Sequence, residues 1–497
     1  MKTPKINGIR STRRKPIALL LAIMMVLALI PAQAFAQTGA ASGTTAGTEA
    51  SKVVPAPDWN SFRGAVSSKG ITAMPTPAKA SDTAKKWVKA IIPATDMCAL
   101  SNPLIINDKI YIAVATGWPS SEGKLLVFSL AGKLLKSKAL TTDVNPATGK
   151  TYGIPILPFI GAGGGMVYVP LTDGTIRAYD LDTLAMKWKT EPLTWTDNSV
   201  STSPAIVPFD LPCPIIYKGG YIYTGTASGG TGVPGKYFAV NATSPAPASK
   251  VKKLAWTYQA DSGSDNSHYA VGAAFTKNAV IFAGSDGFLV SHALKNNTVL
   301  SKCNINAGVK SELVSSGNDI FVTTITGKLV KATVASSGKI IKSSVKTVTL
   351  SGAKSVSAPV VYRNKVYAIS GTQNFTGKGV GKLDVISKSG MKKLSTVDLG
   401  DYVSGSPLLT KAYATKSNGY RVLIYVVRNA VTDDNIMVVK DSDQLKAPMV
   451  STLFKPGGSQ GQASLIAGKA GNLYFYQTIT DTSTWMMSAN LMSIGGK

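Results

Sequence analysis

An eleven-residue frame recurs along the chain, and such a repeat constrains the architecture before any local signal does. The best copy is Ala178-Tyr-Asp-Leu-Asp-Thr-Leu-Ala-Met-Lys-Trp188, which follows an alternating apolar segment. A second copy, from Ala293 to Cys303, keeps alanine, threonine and lysine in register and carries cysteine in place of tryptophan. Weaker copies span 332–342 and 384–394. The chain is therefore predicted to be a repeat protein.

Apolar segments with an aromatic residue near the centre recur eight times, at intervals of 39 to 59 residues. Gly, Asn and Asp bound these segments, so the pattern predicts short strands joined by tight hairpins. Helical patterns are nearly absent after residue 36. The central aromatic residues are Tyr111, Tyr168, Tyr223, Phe282, Phe321, Tyr367, Tyr425 and Tyr474.

A four-stranded sheet cannot bury both faces alone, so repeats of this length are predicted to stack around an axis. The prediction is an all-β propeller of eight four-stranded blades. Trp87 matches Trp188, and Ser101-Asn-Pro103 and Ser203-Pro204 follow them as predicted strand openings. The segment around Trp87 is thus predicted to be the outer strand of a last blade whose other strands come after residue 462. A seven-bladed ring is the alternative if the region after residue 400 is irregular.

The frame at 178–188, the Ser/Pro openings and the leading Asp58-Trp-Asn-Ser-Phe-Arg-Gly64 resemble the pyrroloquinoline-quinone-like β-propeller repeat superfamily. The resemblance extends over about residues 55 to 495. It implies that the alanine and tryptophan of each frame lock adjacent blades together, so that the frame is scaffold and carries no chemistry. The blade-locking residues predicted on this basis are Trp87, Ala178, Asp180, Thr183, Trp188, Ala293 and Thr298.

The same resemblance raises the question of whether the chain binds pyrroloquinoline quinone as a cofactor. The quinone enzymes of the superfamily use a tryptophan platform, in many members an adjacent cysteine pair, and a Glu, Asn and Asp set that holds calcium beside a catalytic Asp. This chain has no adjacent cysteines and its 26 acidic residues are scattered. Acidic turns such as 261–266 or 433–435 could supply oxygen ligands for calcium. We predict no cofactor, no metal and no catalytic residue, with an exported quinone-dependent oxidoreductase or other propeller enzyme as the alternative.

Other catalytic side chains are scarce. With only two histidines in the chain, a Ser/His/Asp arrangement or a histidine-rich metal site is not expected. His292 is predicted to be a sheet residue, and His268 is predicted to face the rim or the channel. Cys303 is predicted to be a small buried apolar residue, while a bridge between Cys98 and Cys213 stays open. Loop insertions at 116–124, 208–218, 228–235, 245–253 and 371–381 are candidates for a binding face, and the predicted contact residues are Trp118, Trp195 and His268.

The N-terminus predicts export. Six basic residues precede an apolar run at 17–30, and Ala34-Phe-Ala36 supplies the small residues of a cleavage site, so a signal peptide cut after Ala36 is predicted. A retained anchor is the alternative, although fourteen apolar residues fall short of the roughly 20 that a span needs. Residues 37–54 are predicted to be a flexible leader and residues 55–497 the propeller domain, with no transmembrane segment after cleavage.

The charge is the remaining functional signal. The formal net charge is +27, or +21 without the six basic residues of the signal peptide, and 45 of the 53 basic residues are lysine. Lysine is a hydrated point charge without the planar fork of arginine, so this composition favours diffuse attraction to an anionic surface. The alternative is protection of outer strand edges. We expect a non-enzymatic scaffold, secreted or associated with a bacterial cell envelope, that binds an envelope protein or an anionic wall polymer, and no specific nucleic-acid binding.

Overall fold

The computed structural model describes residues 59, 62–64, 69–95, 98–116, 122–144, 156–197, 205–229, 233–260, 269, 271–374, 378–403, 405–428, 435–456, 464–481, 483–484 and 486–496. These residues form an all-β structure. The helical elements among them are three single-turn 3₁₀ helices, Ala80–Asp82, Lys416–Asn418 and Lys469–Gly471. Within the same ranges, no helix is long and apolar enough to cross a membrane.

Eight antiparallel sheets stand in a ring, as predicted. The first strand of each blade is buried and the fourth is the most exposed, so the first strand lies nearest the axis. From the axis outwards, the strands are Leu104–Ile106 (with Cys98–Leu100), Lys109–Thr116, Glu122–Ser129 and Leu134–Leu140 in blade 1; Gly161–Gly163, Met166–Pro170, Ile176–Asp180 and Met186–Thr190 in blade 2; Ile216–Lys218, Tyr221–Gly225, Lys236–Asn241 and Trp256–Gln259 in blade 3; and Ala274–Phe275, Ala279–Ala283, Phe288–Ala293 and Val299–Asn304 in blade 4.

The second half of the ring repeats this order. Its strands are Val314–Ser316, Asp319–Thr323, Lys328–Val334 and Ile340–Thr349 in blade 5; Val360–Tyr362, Lys365–Thr372, Val380–Ser387 and Lys393–Asp398 in blade 6; Leu408–Thr410, Val422–Arg428, Asn435–Asp441 and Met449–Phe454 in blade 7; and Ile466–Ala467, Leu473–Thr480, Met487–Gly496 and Thr83–Thr95 in blade 8.

Blade 8 confirms the predicted closure by both termini. Its outer strand, Thr83–Thr95, pairs antiparallel with Met487–Gly496, and Trp87 stands opposite Ser493. The region after residue 400 forms the complete sheet of blade 7, so the seven-bladed alternative is wrong. A closed ring leaves no blade face without a neighbour, which is how eight marginal sheets become one stable structure.

The eight periodic aromatic residues lie in the second strands, and all are buried. Several tyrosine hydroxyls reach across to the next blade, which explains why the aromatic residue recurs at the strand centre. Such donors are Tyr111 to the Leu181 carbonyl (3.1 Å), Tyr223 to Leu294 (3.1 Å), Tyr474 to Leu130 (3.4 Å) and, onto a carboxylate, Tyr367 to Asp441 Oδ2 (2.8 Å). A buried hydroxyl needs such a partner, so one residue both fills the core and joins two blades.

Serine hydroxyls join the inner ends of the blades. Ser357 Oγ of blade 6 donates to the Gly405 carbonyl before blade 7 (2.8 Å), and the Ala358 amide donates to Ser406 Oγ (2.9 Å). The predicted opening at Ser203-Pro204 lies outside the described residues. The strand that follows it, Ala205–Pro208, pairs with Thr194–Asp197 in a separate hairpin, and the first strand of blade 3 begins at Ile216.

Because neighbouring strands are antiparallel, loops between second and third strands share one side of the ring with the blade-to-blade connections. We call this side the insertion face. Four of the five predicted insertions, 116–124, 208–218, 228–235 and 371–381, connect strand ends on this face. The fifth, 245–253, joins a third to a fourth strand and so belongs to the opposite face.

Candidate functional site

Tryptophan side chains fix the fourth strands of two blades to the next blade. Trp87 donates from Nε1 to the Leu130 carbonyl of blade 1 (3.0 Å). Trp256, in the fourth strand of blade 3, donates in the same way to the Leu294 carbonyl of blade 4 (3.0 Å). Sequence reasoning missed Trp256. Ala239 stands opposite it, as Ala178 stands opposite Trp188, but the longer loop between the paired strands separates the two residues in sequence.

The frame residues have local roles as well. Ala178 and Trp188 are buried between blades 2 and 3, where the indole packs on Tyr168 with ring centroids 5.7 Å apart. Asp180 Oδ1 accepts bonds from the Thr183 amide (2.9 Å) and hydroxyl (3.0 Å), and these bonds lower the Asp180 pKa to about 2. They hold a turn within blade 2.

The weaker frame in blade 4 closes its turn through main-chain atoms. The Ala293 amide donates to the Thr298 carbonyl (2.9 Å), and the Thr298 side chain is exposed. His292 lies in the strand Phe288–Ala293, where it is buried and stacked on Trp256 with ring centroids 3.9 Å apart. Burial lowers the pKa of this imidazole.

The predicted contact residues fall mostly outside the described residues. Trp118 and His268 both do, as do the acidic residues of the turns at 261–266 and Asp433 and Asp434. Trp195 lies in the hairpin strand Thr194–Asp197, half-buried, with its ring against Gly229. The Trp195 side chain therefore packs beside the insertion face.

The cysteines are separate from one another. All three are free, so the bridge between Cys98 and Cys213 is wrong. Cys98 lies in a strand of blade 1, whereas the buried Cys213 thiol precedes blade 3 and donates to the Val271 carbonyl (3.0 Å). Cys303 is buried, and burial raises the pKa of each of the three thiols. These are structural groups without the thiolate character that reactive cysteines need.

The central channel contains the chain's own N-terminal segment. Trp59 forms a two-bonded bridge with Ile105 in the first strand of blade 1, at 2.7 and 3.2 Å. Ile71–Thr72 then pairs in parallel with the first strand of blade 7. We call the described residues 59, 62–64 and 69–72 the plug. Trp59 and Phe62 are buried inside the ring, and Phe62 packs edge-on against Phe159 of the connection to blade 2.

A buried arginine and a buried glutamate interact across the channel. Arg63 of the plug is 4% exposed and donates from Nη2 to the Pro407 carbonyl (3.2 Å). Glu312, in the connection between blades 4 and 5, is 1% exposed, and its Oε2 has no hydrogen-bond partner among the described atoms. Desolvation raises the pKa of Glu312 well above its ordinary value, although the positive charge of Arg63 opposes the shift. Burial lowers the Arg63 pKa to about 10.

The plug is shaped around that guanidinium. Gly70 has φ +58°, and a Cβ there would lie 2.4 Å from Arg63 Nη2, so only glycine fits. The plug therefore places the buried positive charge of Arg63 inside the ring.

The described residues do not fit a quinone and calcium centre. Within the described ranges, no three His, Cys, Asp or Glu side chains cluster as metal ligands. The cysteines lie apart, and the plug places Trp59, Phe62 and Arg63 inside the ring. We derive no reaction step through such a group.

Exposed lysines concentrate where blade 8 meets blade 1. We call this surface the lysine wall, and it consists of Lys85, Lys86, Lys89, Lys124 and Lys133. Lys136 points instead towards blade 2, where its Nζ donates to the Asp182 carbonyl. Among the described carboxylates, Glu122 alone forms an ion pair with one of them, Lys124 (3.0 Å). Exposed pairs of this kind contribute little, so the wall carries a largely uncompensated positive charge.

The sequence matches no protein-family model and none of the curated proteins. Solved structures do resemble the chain. A europium-containing methanol dehydrogenase superposes with a TM-score of 0.60 at 8% identity, over 88% of this chain and 98% of that one. The quinohemoprotein alcohol dehydrogenase of Comamonas testosteroni gives 0.57 at 11% identity, over 90% and 81%.

A third similar structure is BamB from Moraxella catarrhalis, with a TM-score of 0.47 at 11% identity, over 82% of this chain and 97% of that one. That superposition is too loose to carry an argument. The likeness to the two dehydrogenases supports the β-propeller fold predicted from the sequence. At such identities the likeness concerns fold alone.

Proposed function

We propose that the protein is an exported, non-enzymatic propeller that binds an anionic polymer or an acidic protein partner at the cell envelope. The lysine wall is the observation that carries this proposal. Its five lysines come from two adjacent blades, and one of them pairs with a described carboxylate. A protein that needed only solubility would gain from interspersed charges of both signs.

The type of basic residue favours attraction to an extended anionic surface. An ammonium group binds anions as a point charge and keeps much of its hydration, whereas planar bidentate recognition is the property of arginine. The described strands of blades 8 and 1 contain lysines and no arginine. We therefore expect binding that weakens steeply with salt, because exposed charges are screened over about 10 Å at 0.1 M and about 3 Å at 1 M ionic strength.

Sedimentation of the purified chain from Gln37 to Lys497 with envelopes of the source organism tests the proposal. We expect retention at low salt that is lost at high salt. Replacing Lys85, Lys86 and Lys89 by glutamine should reduce retention at low salt. The matched control replaces Lys342, Lys346 and Lys392, which are exposed on blades 5 and 6.

The control removes the same net charge from another part of the ring, so it separates a local surface from overall basicity. Equal losses in the two variants would mean that the total charge acts and the wall has no special role. Absence of retention at every salt concentration would overturn the proposal.

The alternative is an exported quinone-dependent oxidoreductase, favoured by the fold likeness to the two dehydrogenases. It predicts a chromophore in the purified protein, or melting that responds to calcium. The residues described in the channel supply no ligand set for either. A colourless protein with calcium-independent melting and no response to added quinone would remove this alternative.

A further inference from the structure

A groove opens in the lysine wall between the fourth strand of blade 8 and the sheet of blade 1, with a volume of about 710 Å³. Apolar side chains line much of it, and lysines stand among them. The apolar residues are Ala90, Ile91, Leu126, Phe128, Ala131 and Leu134, and the lysines are Lys89, Lys124 and Lys133. The groove therefore offers hydrophobic contact and positive charge to the same occupant.

The fold itself builds the groove. Trp87 packs its indole over Gly132 and so fixes one end of the blade 8 strand to blade 1. Beyond Trp87 the register against the last strand shifts twice, between Ala90 and Ile92 and between Ile92 and Thr95. Bulges of this kind bend a strand and re-aim its side chains. They fall where the strand borders the groove, so the gap belongs to the sheet geometry.

An open strand edge borders the same groove. The outer strand of blade 1, Leu134–Leu140, pairs with the third strand of its blade, and no other described strand pairs with it. Six of its seven residues are exposed, and the Leu134 side chain is 50% exposed. An exposed edge with apolar side chains is a template for another strand unless something covers it.

Blade 2 shows that such an edge accepts an extra strand in this molecule. Val251–Lys252 pairs in parallel with the fourth strand of that blade. The Lys189 amide donates to the Lys250 carbonyl (2.9 Å), and the Glu191 amide donates to the Lys252 carbonyl (3.0 Å). The chain covers the blade 2 edge with its own residues, whereas blade 1 has no such cover among the described residues.

From these three features we infer that the groove binds an extended, acidic protein segment with apolar side chains at alternate positions. The segment adds a strand to the outer edge of blade 1. Successive side chains of a strand point to opposite faces. The apolar ones therefore enter the groove, and the acidic ones point to the other face of the blade 1 sheet, where Lys136 and Lys138 project beside Val127 and Leu125. A phosphate polymer would leave the apolar lining unused, and a lipid surface would not pair with the edge. The inference rests on the proposed function, because it specifies the partner of the lysine wall.

Fluorescence anisotropy with a labelled peptide of alternating glutamate and leucine tests the inference. We expect the peptide to bind the mature chain more tightly than poly-glutamate, polyphosphate or anionic vesicles. The groove variant combines Leu134→Ser in the groove with Lys136→Ala and Lys138→Ala on the other face of the same strand. It should weaken peptide binding about tenfold or more, since it removes two ion pairs and one apolar contact.

The matched control makes the same changes on the outer strand of blade 5: Ile341→Ser, Lys342→Ala and Lys346→Ala. Ile341 is 41% exposed, and both lysines are exposed. This variant should bind the peptide within about twofold of the parent protein, because it removes equal charge and apolar area outside the groove. A peptide with N-methyl groups on every residue, which has no main-chain N–H to donate along either edge, should bind about tenfold more weakly.

Three outcomes would overturn the inference: equal losses in the groove and control variants, undiminished binding of the N-methylated peptide, or tighter binding of polyphosphate or vesicles in the groove. Envelope sedimentation of the groove variant separates this result from the proposed function. If the parent protein is retained by envelopes but peptide binding ignores the groove, the proposed function stands and the groove inference fails. If neither envelopes nor peptide bind, both fail.

Discussion

Replacing Glu312 by glutamine should change how stability depends on pH. Glutamine keeps the shape of the side chain but has no proton to release. Glu312 is buried, one carboxyl oxygen lacks a partner, and its pKa is raised well above that of an exposed glutamate. The folded state therefore holds the proton at pH values where the unfolded chain has released it. The resulting stabilisation is fully present below the unfolded pKa of about 4.3 and is lost as the pH rises through the folded pKa.

The size of the effect follows from one proton. The unfolding free energy of the parent protein, relative to Glu312→Gln, should fall by up to about 1.4 kcal/mol per pH unit between the two pKa values. The unfolding entropy of a propeller of about 440 residues is about 0.9 kcal/mol per kelvin near 60 °C, from the average per-residue value. Over the pH range in which folded Glu312 stays protonated, the melting temperature of the parent protein relative to Glu312→Gln should fall by about 1.5 °C per pH unit.

Melting curves of both proteins at half-unit steps of pH measure this difference. The matched control is Glu122→Gln, which removes an exposed carboxylate on the surface of blade 1. Its melting difference from the parent should change little over the same range. A Glu312→Gln difference that stays constant with pH, or that grows in favour of the parent as the pH rises, would refute the reasoning. The second result would mean that Arg63 holds Glu312 ionised in the folded protein.

Three further changes test the closure, and a fourth experiment tests the thiols. Trp87→Phe removes the donor to the Leu130 carbonyl and should cost about 1 kcal/mol of unfolding free energy, measured by urea titration. Gly132→Ala should cost about 2 to 4 kcal/mol by the same titration, because φ is +80° and the new Cβ would lie 2.7 Å from the Trp87 ring. Deleting Met487–Gly496 should abolish cooperative melting, since the outer strand of blade 8 loses its partner. Reductant should leave the melting temperature unchanged, because the three thiols are free; a shift with dithiothreitol would contradict this.

The architecture could be predicted because its signals are periodic. The tyrosine at each strand centre both fills the core and donates to the next blade, so packing requires it at intervals of one blade. Closure could be predicted because Trp87 repeats the environment of Trp188. Trp256 performs the same docking but could not be found, since a longer loop separates it from Ala239 and the eleven-residue spacing is broken.

The interior and surface sites depend on positions that no local pattern encodes. Glu312 stands in an ordinary run of small and apolar residues, and Arg63 lies about 250 positions before it. Only the path of the plug through the ring brings them together. The lysine wall could not be predicted for the same reason. Its members were visible as lysines, but their concentration on one surface follows from blade 8 taking its outer strand from the start of the chain and meeting blade 1.

The composite blade also sets the order of events during folding. The outer strand of blade 8, Thr83–Thr95, pairs with Met487–Gly496, a strand that follows it by roughly 390 residues. Loop closure costs entropy before a contact between such distant segments can stabilise the fold. The seven blades between the two strands form from local hairpins, so we expect the ring to close last, and until then blades 1 and 7 each keep one face without a neighbour.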